Sequence, residues 1–269
     1  MLKQTLIALG VLAVAGTAIA EDITNPFYLP QKGQMGSITS TDFTRFQYKN
    51  SKDENNIPSY KSYNTNLTEE LQYGLTDTLA LIANVGNTFS KDKFGYADLP
   101  WTNKVDKNIA WETGLAWNIL NKAFKVQAAL LYGQDQVINR YNTGFGEYKY
   151  VEGDIKAGYQ FDKMLPYVEL GEQLPIAQKI GVDKPIYTAK IGLYQGQCET
   201  WALDTGIRAT HDSNTDEKSV IYSVEAEASY YLTKKSAISV YGTYGLRGYA
   251  KTNADLYNKS VGVRLRWFF

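Results

Sequence analysis

The chain has 269 residues, with 28 Lys+Arg against 28 Asp+Glu, one His and one Cys. Balanced charge gives no global field for nucleic acid or polyanions, and the lone Cys198 excludes an internal disulfide framework. The mean hydropathy of −0.34 and the 21 Tyr and 22 Gly are unusual for a soluble enzyme. They suit a transmembrane β-barrel, in which only alternate residues need be apolar.

Residues 1–20 read "MLKQTLIALGVLAVAGTAIA". Lys3 precedes the apolar run Leu6–Val14, and Ala18-Ile19-Ala20 offers a small-x-small cleavage site before Glu21. The run is shorter than the ~20 residues a spanning helix needs, so the pattern predicts a secretory signal peptide removed on export. Its loss removes Lys3 and no acid, leaving 27 Lys+Arg (28 less Lys3) against 28 Asp+Glu. Residues 21–33 then read as a leader. Pro26 and Pro30 bracket Phe27 and Tyr28, and such a segment cannot pair as a central strand.

From residue 34 to 269 the period is two. Ile109, Trp111, Thr113, Leu115, Trp117 and Ile119 alternate with Ala110, Glu112, Gly114, Ala116 and Asn118. The same alternation runs through Val220–Leu232 and Ile238–Arg247, which is the signature of strands with one apolar and one polar face. The breaks between these runs alternate in length. Short ones fall at Leu75–Asp77, Asn121–Lys122, Phe161–Lys163, Gln197–Glu199 and Thr233–Lys235. Long ones are "KNSKDENNIP", "KDKFGYADLPWTNKVDK", "QDQVINRYNTGFGE", "EQLPIAQKIGVDKP", "HDSNTDEK" and "AKTNAD". Five short and six long connections join twelve strands. The pattern predicts an all-β fold: a single antiparallel transmembrane barrel of twelve strands in an outer membrane, with short periplasmic turns and longer extracellular loops. The leader is expected outside the wall, at the periplasmic mouth, either as a plug or as a loose tail.

The chain ends "VGVRLRWFF". Val261, Val263, Leu265, Trp267 and Phe269 share one face, and Arg264 and Arg266 the other. An open sheet edge in hydrocarbon leaves backbone groups unpaired, so this last strand should close on the first. Trp267 and Phe269 would lie in the periplasmic aromatic girdle. A terminal Phe preceded by alternating apolar residues resembles the C-terminal signature of outer-membrane barrels. That resemblance implies Val263, Leu265, Trp267 and Phe269 as a signal to the barrel-assembly machinery. "EELQYGLTDTLAL", Glu69 to Leu81, further resembles the strand–turn–strand of outer-membrane transporters of the phenol-degradation MetA type, over one hairpin.

Inward positions collect charge of both signs: Lys190, Asp204, Arg208, Glu225, Glu227, Arg247, Arg264 and Arg266, extended by Glu152, Asp154 and Lys156. Such a lumen would orient polar solutes or, if it packs shut, fill the interior. The expected function is therefore a passive, porin-like channel for small polar solutes, with membrane lipid around it. The alternative is a closed barrel serving as envelope scaffold or adhesin. No metal spacing, nucleotide loop or nucleic-acid patch occurs, so no cofactor is expected.

The one His lies in "RATHDSN". His211-Asp212-Ser213-Asn214 is similar to the His-x-Ser-Asn core of two outer-membrane lipid hydrolases, phospholipase A and the lipid A deacylase. The resemblance implies Ser213 activated by His211, with a third residue orienting the His. Alternation puts His211 and Ser213 on the lipid face. Glu225, at the spacing of the deacylase acid, lies between Val224 and Ala226 and should point inward, so no enzyme is expected.

Overall fold

The computed structural model describes residues 22–50, 59–95, 102–139, 145–178, 184–196, 200–213, 219–249 and 254–269. Twelve strands follow in order: β1 (Met35–Asn50), β2 (Ser59–Gly74), β3 (Leu79–Gly95), β4 (Thr102–Asn121), β5 (Phe124–Asn139), β6 (Phe145–Tyr159), β7 (Met164–Gln178), β8 (Ile186–Gln195), β9 (Trp201–Asp212), β10 (Ser219–Thr233), β11 (Ser236–Tyr249) and β12 (Ala254–Phe268). Each pairs antiparallel with its chain neighbours, and β1 pairs with β12, so the sheet is a closed barrel. At the seam Gly36 stands opposite Phe268 and Phe43 opposite Val261. Reciprocal 2.9 Å backbone bonds between Met35 and Phe269 finish the ring.

Alternation governs which side each residue faces. Leu67, Leu130, Ile191, Ile207 and Val240 are between 48% and 71% exposed on the outer wall. Their strand neighbours Asn66, Leu131, Lys190, Arg208 and Ser239 face the interior. The outer wall also carries an acid. Glu69, between Leu67 and Leu71, accepts 2.5 Å hydrogen bonds from Ser37 Oγ and Thr39 Oγ1, partners it would lack in hydrocarbon.

The short connections lie at one end, which the outer-membrane plan makes periplasmic. They include residues 75–78, 122–123 and 234–235. Three of the expected long loops are shorter than the polar sequence suggests, because β3 and β4 run to Gly95 and from Thr102, β5 and β6 to Asn139 and from Phe145, and β7 to Gln178. Polar residues beyond the bilayer can stay paired as strand, since neither face there needs to be apolar. The connections 197–199 and 214–218 lie outside the described residues.

The leader accounts for most of the interior packing. Residues 22–34 form no strand, and they enter the lumen at its periplasmic end rather than hanging below it. Three apolar side chains drive this. Phe27, 3% exposed, packs among Leu165, Tyr167, Tyr194 and Ala202. Ile23 packs on Ala237 and Phe268, and Leu29 on Ala80 and Ala116. Twelve strands ~4.8 Å apart and tilted ~40° give a backbone radius of about 12 Å. One layer of side chains then leaves room for roughly one further strand of peptide, and the leader occupies it.

Polar bonds fix the leader in place. Thr24 Oγ1 lies 2.7 Å from the Tyr194 hydroxyl and 2.6 Å from that of Tyr231, and both hydroxyls donate to the Asp22 carboxylate. Asn118 Nδ2 and Gln127 Nε2 donate to the Phe27 carbonyl at 3.2 and 3.3 Å. Gly33, at φ 77°, turns the chain into β1, and its N–H bonds the Gly74 carbonyl at 2.8 Å. At Gly74 any Cβ would stand 1.9 Å from the Gln31 carbonyl oxygen, so the close approach of leader to wall requires glycine.

Candidate functional site: a charged lumen above the leader

Above the leader lies a cavity of about 420 Å³. Its floor is Ile23, Thr24, Asn25, Pro26 and Tyr28; its wall includes Lys156, Tyr167, Glu169, Lys190, Asp204, Arg208, Glu225, Glu227, Arg264 and Arg266. Seven of the eight lumen residues expected from the sequence line this cavity. For the eighth, Arg247, the backbone belongs to β11, but the side chain lies outside the described residues.

Two linked ion-pair groups make up the wall. In the first, Arg208 Nε donates to Glu225 Oε1 at 2.7 Å, and Arg208 Nη1 lies 3.6 Å from Glu169 Oε1. Lys190 Nζ sits between Glu225 Oε2 at 3.3 Å and Asp204 Oδ2 at 3.6 Å. Lys156 Nζ approaches Glu169 Oε2 at 3.8 Å. The Tyr167 hydroxyl donates to both Asp204 oxygens at 3.0 and 2.9 Å. In the second group Arg266 Nη1 donates to Glu227 Oε1 at 2.5 Å and to Ser239 Oγ at 2.7 Å. Arg264 Nη1 donates to Glu227 Oε2, and its guanidinium stands 4.6 Å from the Tyr241 ring centroid. Tyr241 in turn donates to Asp42 Oδ1 at 3.2 Å.

Local sequence provides the space for this. Gly192 has no side chain where the Tyr167 ring lies, since a Cβ there would be 2.3 Å from Tyr167 Cζ. Gly206 likewise leaves room for the Lys190 stem, 2.7 Å from where its Cβ would be. Glu169, Tyr167, Asp42, Tyr241 and Ser239 were not among the residues picked out from the sequence. Glu169 was within reach of the same reasoning, because it stands between the outward Val168 and Leu170. Ser239 and Tyr241 needed the register of β11 on β12, where Ser239 stands opposite Arg264.

A second cavity of about 190 Å³ opens on the other side of the leader. Glu70, Gln72, Asn84, Glu112, Asp154 and Lys156 supply its polar lining, and Leu29, Ile82, Ala116, Ala129 and Leu131 its apolar lining. Asn84 Nδ2 donates to Glu112 Oε2 at 3.3 Å, and the Tyr150 hydroxyl donates to Glu112 Oε1 at 2.5 Å.

The lipid-hydrolase arrangement does not assemble around Glu225. His211 is on the outer wall, its ring parallel to that of Tyr187 at 6.3 Å between centroids. Glu225 is inside, held by Arg208 and Lys190. Ser213 lies in the turn after β9, its N–H bonded to the Pro185 carbonyl at 3.3 Å, and Asn214 lies outside the described residues.

A closed twelve-stranded barrel with an apolar exterior, short turns at one end and a charged interior is a transmembrane β-barrel of the outer-membrane type. Its fold is similar to that of an outer membrane channel from Pseudomonas putida F1, at TM-score 0.60 and 16% identity over 96% of this chain and 100% of that one. It is similar to the translocator domain of the autotransporter NalP from Neisseria meningitidis, at TM-score 0.58 and 11% identity over 92% of each chain. It is also similar to a deltaS2S3 mutant of TodX, a monoaromatic hydrocarbon channel, at TM-score 0.54 and 10% identity over 93% of each chain. At these identities the likeness is one of fold. No family model matches the sequence, and no curated protein does.

Proposed function

We propose that the chain is an exported outer-membrane channel, cleaved after residue 20, that passes small polar solutes passively through its charged lumen. The observation that carries this reading is the cavity above the leader, whose wall carries four carboxylates, three guanidiniums and two ammoniums. A polar solute can exchange its water for these groups, whereas an apolar one would leave them unsolvated. Val263, Leu265, Trp267 and Phe269 serve the assembly machinery in this reading. Val263 and Phe269 present 42% and 62% of their surface outward.

Planar-bilayer recording of the refolded protein tests the reading. The cavity wall sets five cations against four carboxylates, so a small current whose reversal potential shifts when either set is neutralised is expected in asymmetric KCl. Absence of any current, with or without the leader, would leave the barrel as a scaffold or adhesin.

We also infer that the chain is no lipid hydrolase, because Glu225 faces away from His211 and cannot set its tautomer. Refolded protein should release no fatty acid from phospholipid or lipid A, with or without calcium. Turnover that is lost in both Ser213→Ala and His211→Ala would overturn this.

A further inference from the structure

The smaller cavity is rich in acceptors and poor in donors. Three carboxylates line it, Glu70, Glu112 and Asp154. Gln72, which borders both cavities, is only 8% exposed, yet its Oε1 has no hydrogen-bond partner among the described residues. The same holds for Asn84 Oδ1. The amide orientations follow from the neighbours: Gln72 Nε2 donates to Glu70 Oε1 at 2.5 Å and Asn84 Nδ2 to Glu112, which turns both carbonyl oxygens away from any donor. The donors nearby are committed elsewhere. Gln127 Nε2 bonds Phe27 O and Asn118 Oδ1 at 3.3 and 2.9 Å, and Tyr28 bonds Gln34 at 2.9 Å. Lys156, the one cation among the described lining residues, lies 3.8 Å from Glu169. Buried acceptors without donors are costly. A group that brings several N–H donors and positive charge would relieve that cost.

We propose that this cavity binds a small alkyl ammonium. Its charged head meets Glu70 and Glu112, and its hydrocarbon part packs on Leu29, Ile82 and Ala129. The volume of about 190 Å³ suits a short chain of a few carbons. The proposal rests on the channel reading only in that a lumen solute must reach the cavity. It names amines as the solute class that dwells there.

The test uses the refolded full barrel in detergent. Binding of n-butylammonium is measured by isothermal titration, with butyrate and n-butanol as the anionic and neutral counterparts of the same chain. Saturable binding of n-butylammonium alone is expected, weakened about tenfold or more in Glu70→Gln/Glu112→Gln. Gln72→Leu, which removes the orphaned carbonyl and no charge, should weaken it severalfold. Heat-modifiable gel mobility identifies the folded variants, and the two single carboxamide variants stand in if the double one does not fold. No saturable binding, equal binding of n-butanol, or binding unchanged in every folded variant would overturn the site. Bilayer current read in parallel separates the two ideas. Current without ammonium binding sinks the site alone, and ammonium binding without current sinks the channel alone.

Discussion

Deleting Asp22–Pro30 should turn a small bilayer current into a large, steady one. The leader crosses the lumen from Ala80 and Ala116 on one side to Ala237 and Phe268 on the other, and it floors the cavity through which solute would pass. Removing it leaves a barrel whose wall hydrogen bonds are intact, so the protein should still fold and shift on heating. Two milder variants should have part of the effect. Tyr194→Phe with Tyr231→Phe removes the hydroxyls that hold Asp22 and Thr24. Phe27→Ala empties the slot among Leu165, Tyr167 and Tyr194, at a cost of about 3–5 kcal/mol to the docked leader. Both should produce flickering between closed and open levels. Current unchanged by the deletion would mean that ions already pass beside the leader, and that the leader is packing material only.

The second large effect is expected at Glu227. Its carboxylate accepts from both Arg264 and Arg266, and only 15% of its side chain is exposed. Glu227→Gln leaves two guanidiniums facing each other with a neutral partner. Breaking a buried pair costs about 3–5 kcal/mol, so the denaturant midpoint should fall. Selectivity should move as well. A unit of charge acting at ~4 Å is worth ~1 kcal/mol in water, or about fivefold in relative permeability. The reversal potential should therefore shift toward anions. Arg264→Gln should shift it the other way with less loss of stability, because Arg266 still pairs with Glu227. Equal reversal potentials in both variants would place this cluster off the conduction path.

The wall was legible in the sequence because a strand's period is two and a lipid-facing barrel enforces it on every strand. Ile109 to Ile119 and Val220 to Leu232 display the outer face residue by residue. Glu225 could be placed inside against a family pattern that would have made it an orienting acid, because turning it outward would have turned Val224 and Ala226 inward. The leader was legible as a non-strand segment that could plug the mouth, but its seat was not. Ile23, Phe27 and Leu29 follow no strand or helix period, since each fills a different gap between wall side chains. Phe268 shows the same limit, because its burial depends on Ile23 and Tyr28, more than two hundred residues earlier in the chain. The amine cavity was hidden for a related reason. Glu70, Asn84 and Glu112 come from three strands, and which of them meet is decided by cross-strand register, which alternation alone does not specify.

The latch between Asp22 and Tyr231 spans 209 positions in the chain. The leader's other partners lie on β3, β4, β5, β7, β8, β9, β11 and β12, so its full set of contacts exists only once the whole ring has been laid down. The leader, early in the sequence, is thus the last segment to complete its contacts. Contacts of such sequence separation form late. An unfinished barrel offers the leader only part of its seat, and the side of it at Ala237 and Phe268 appears with β11 and β12. Entry of the leader then marks a completed barrel.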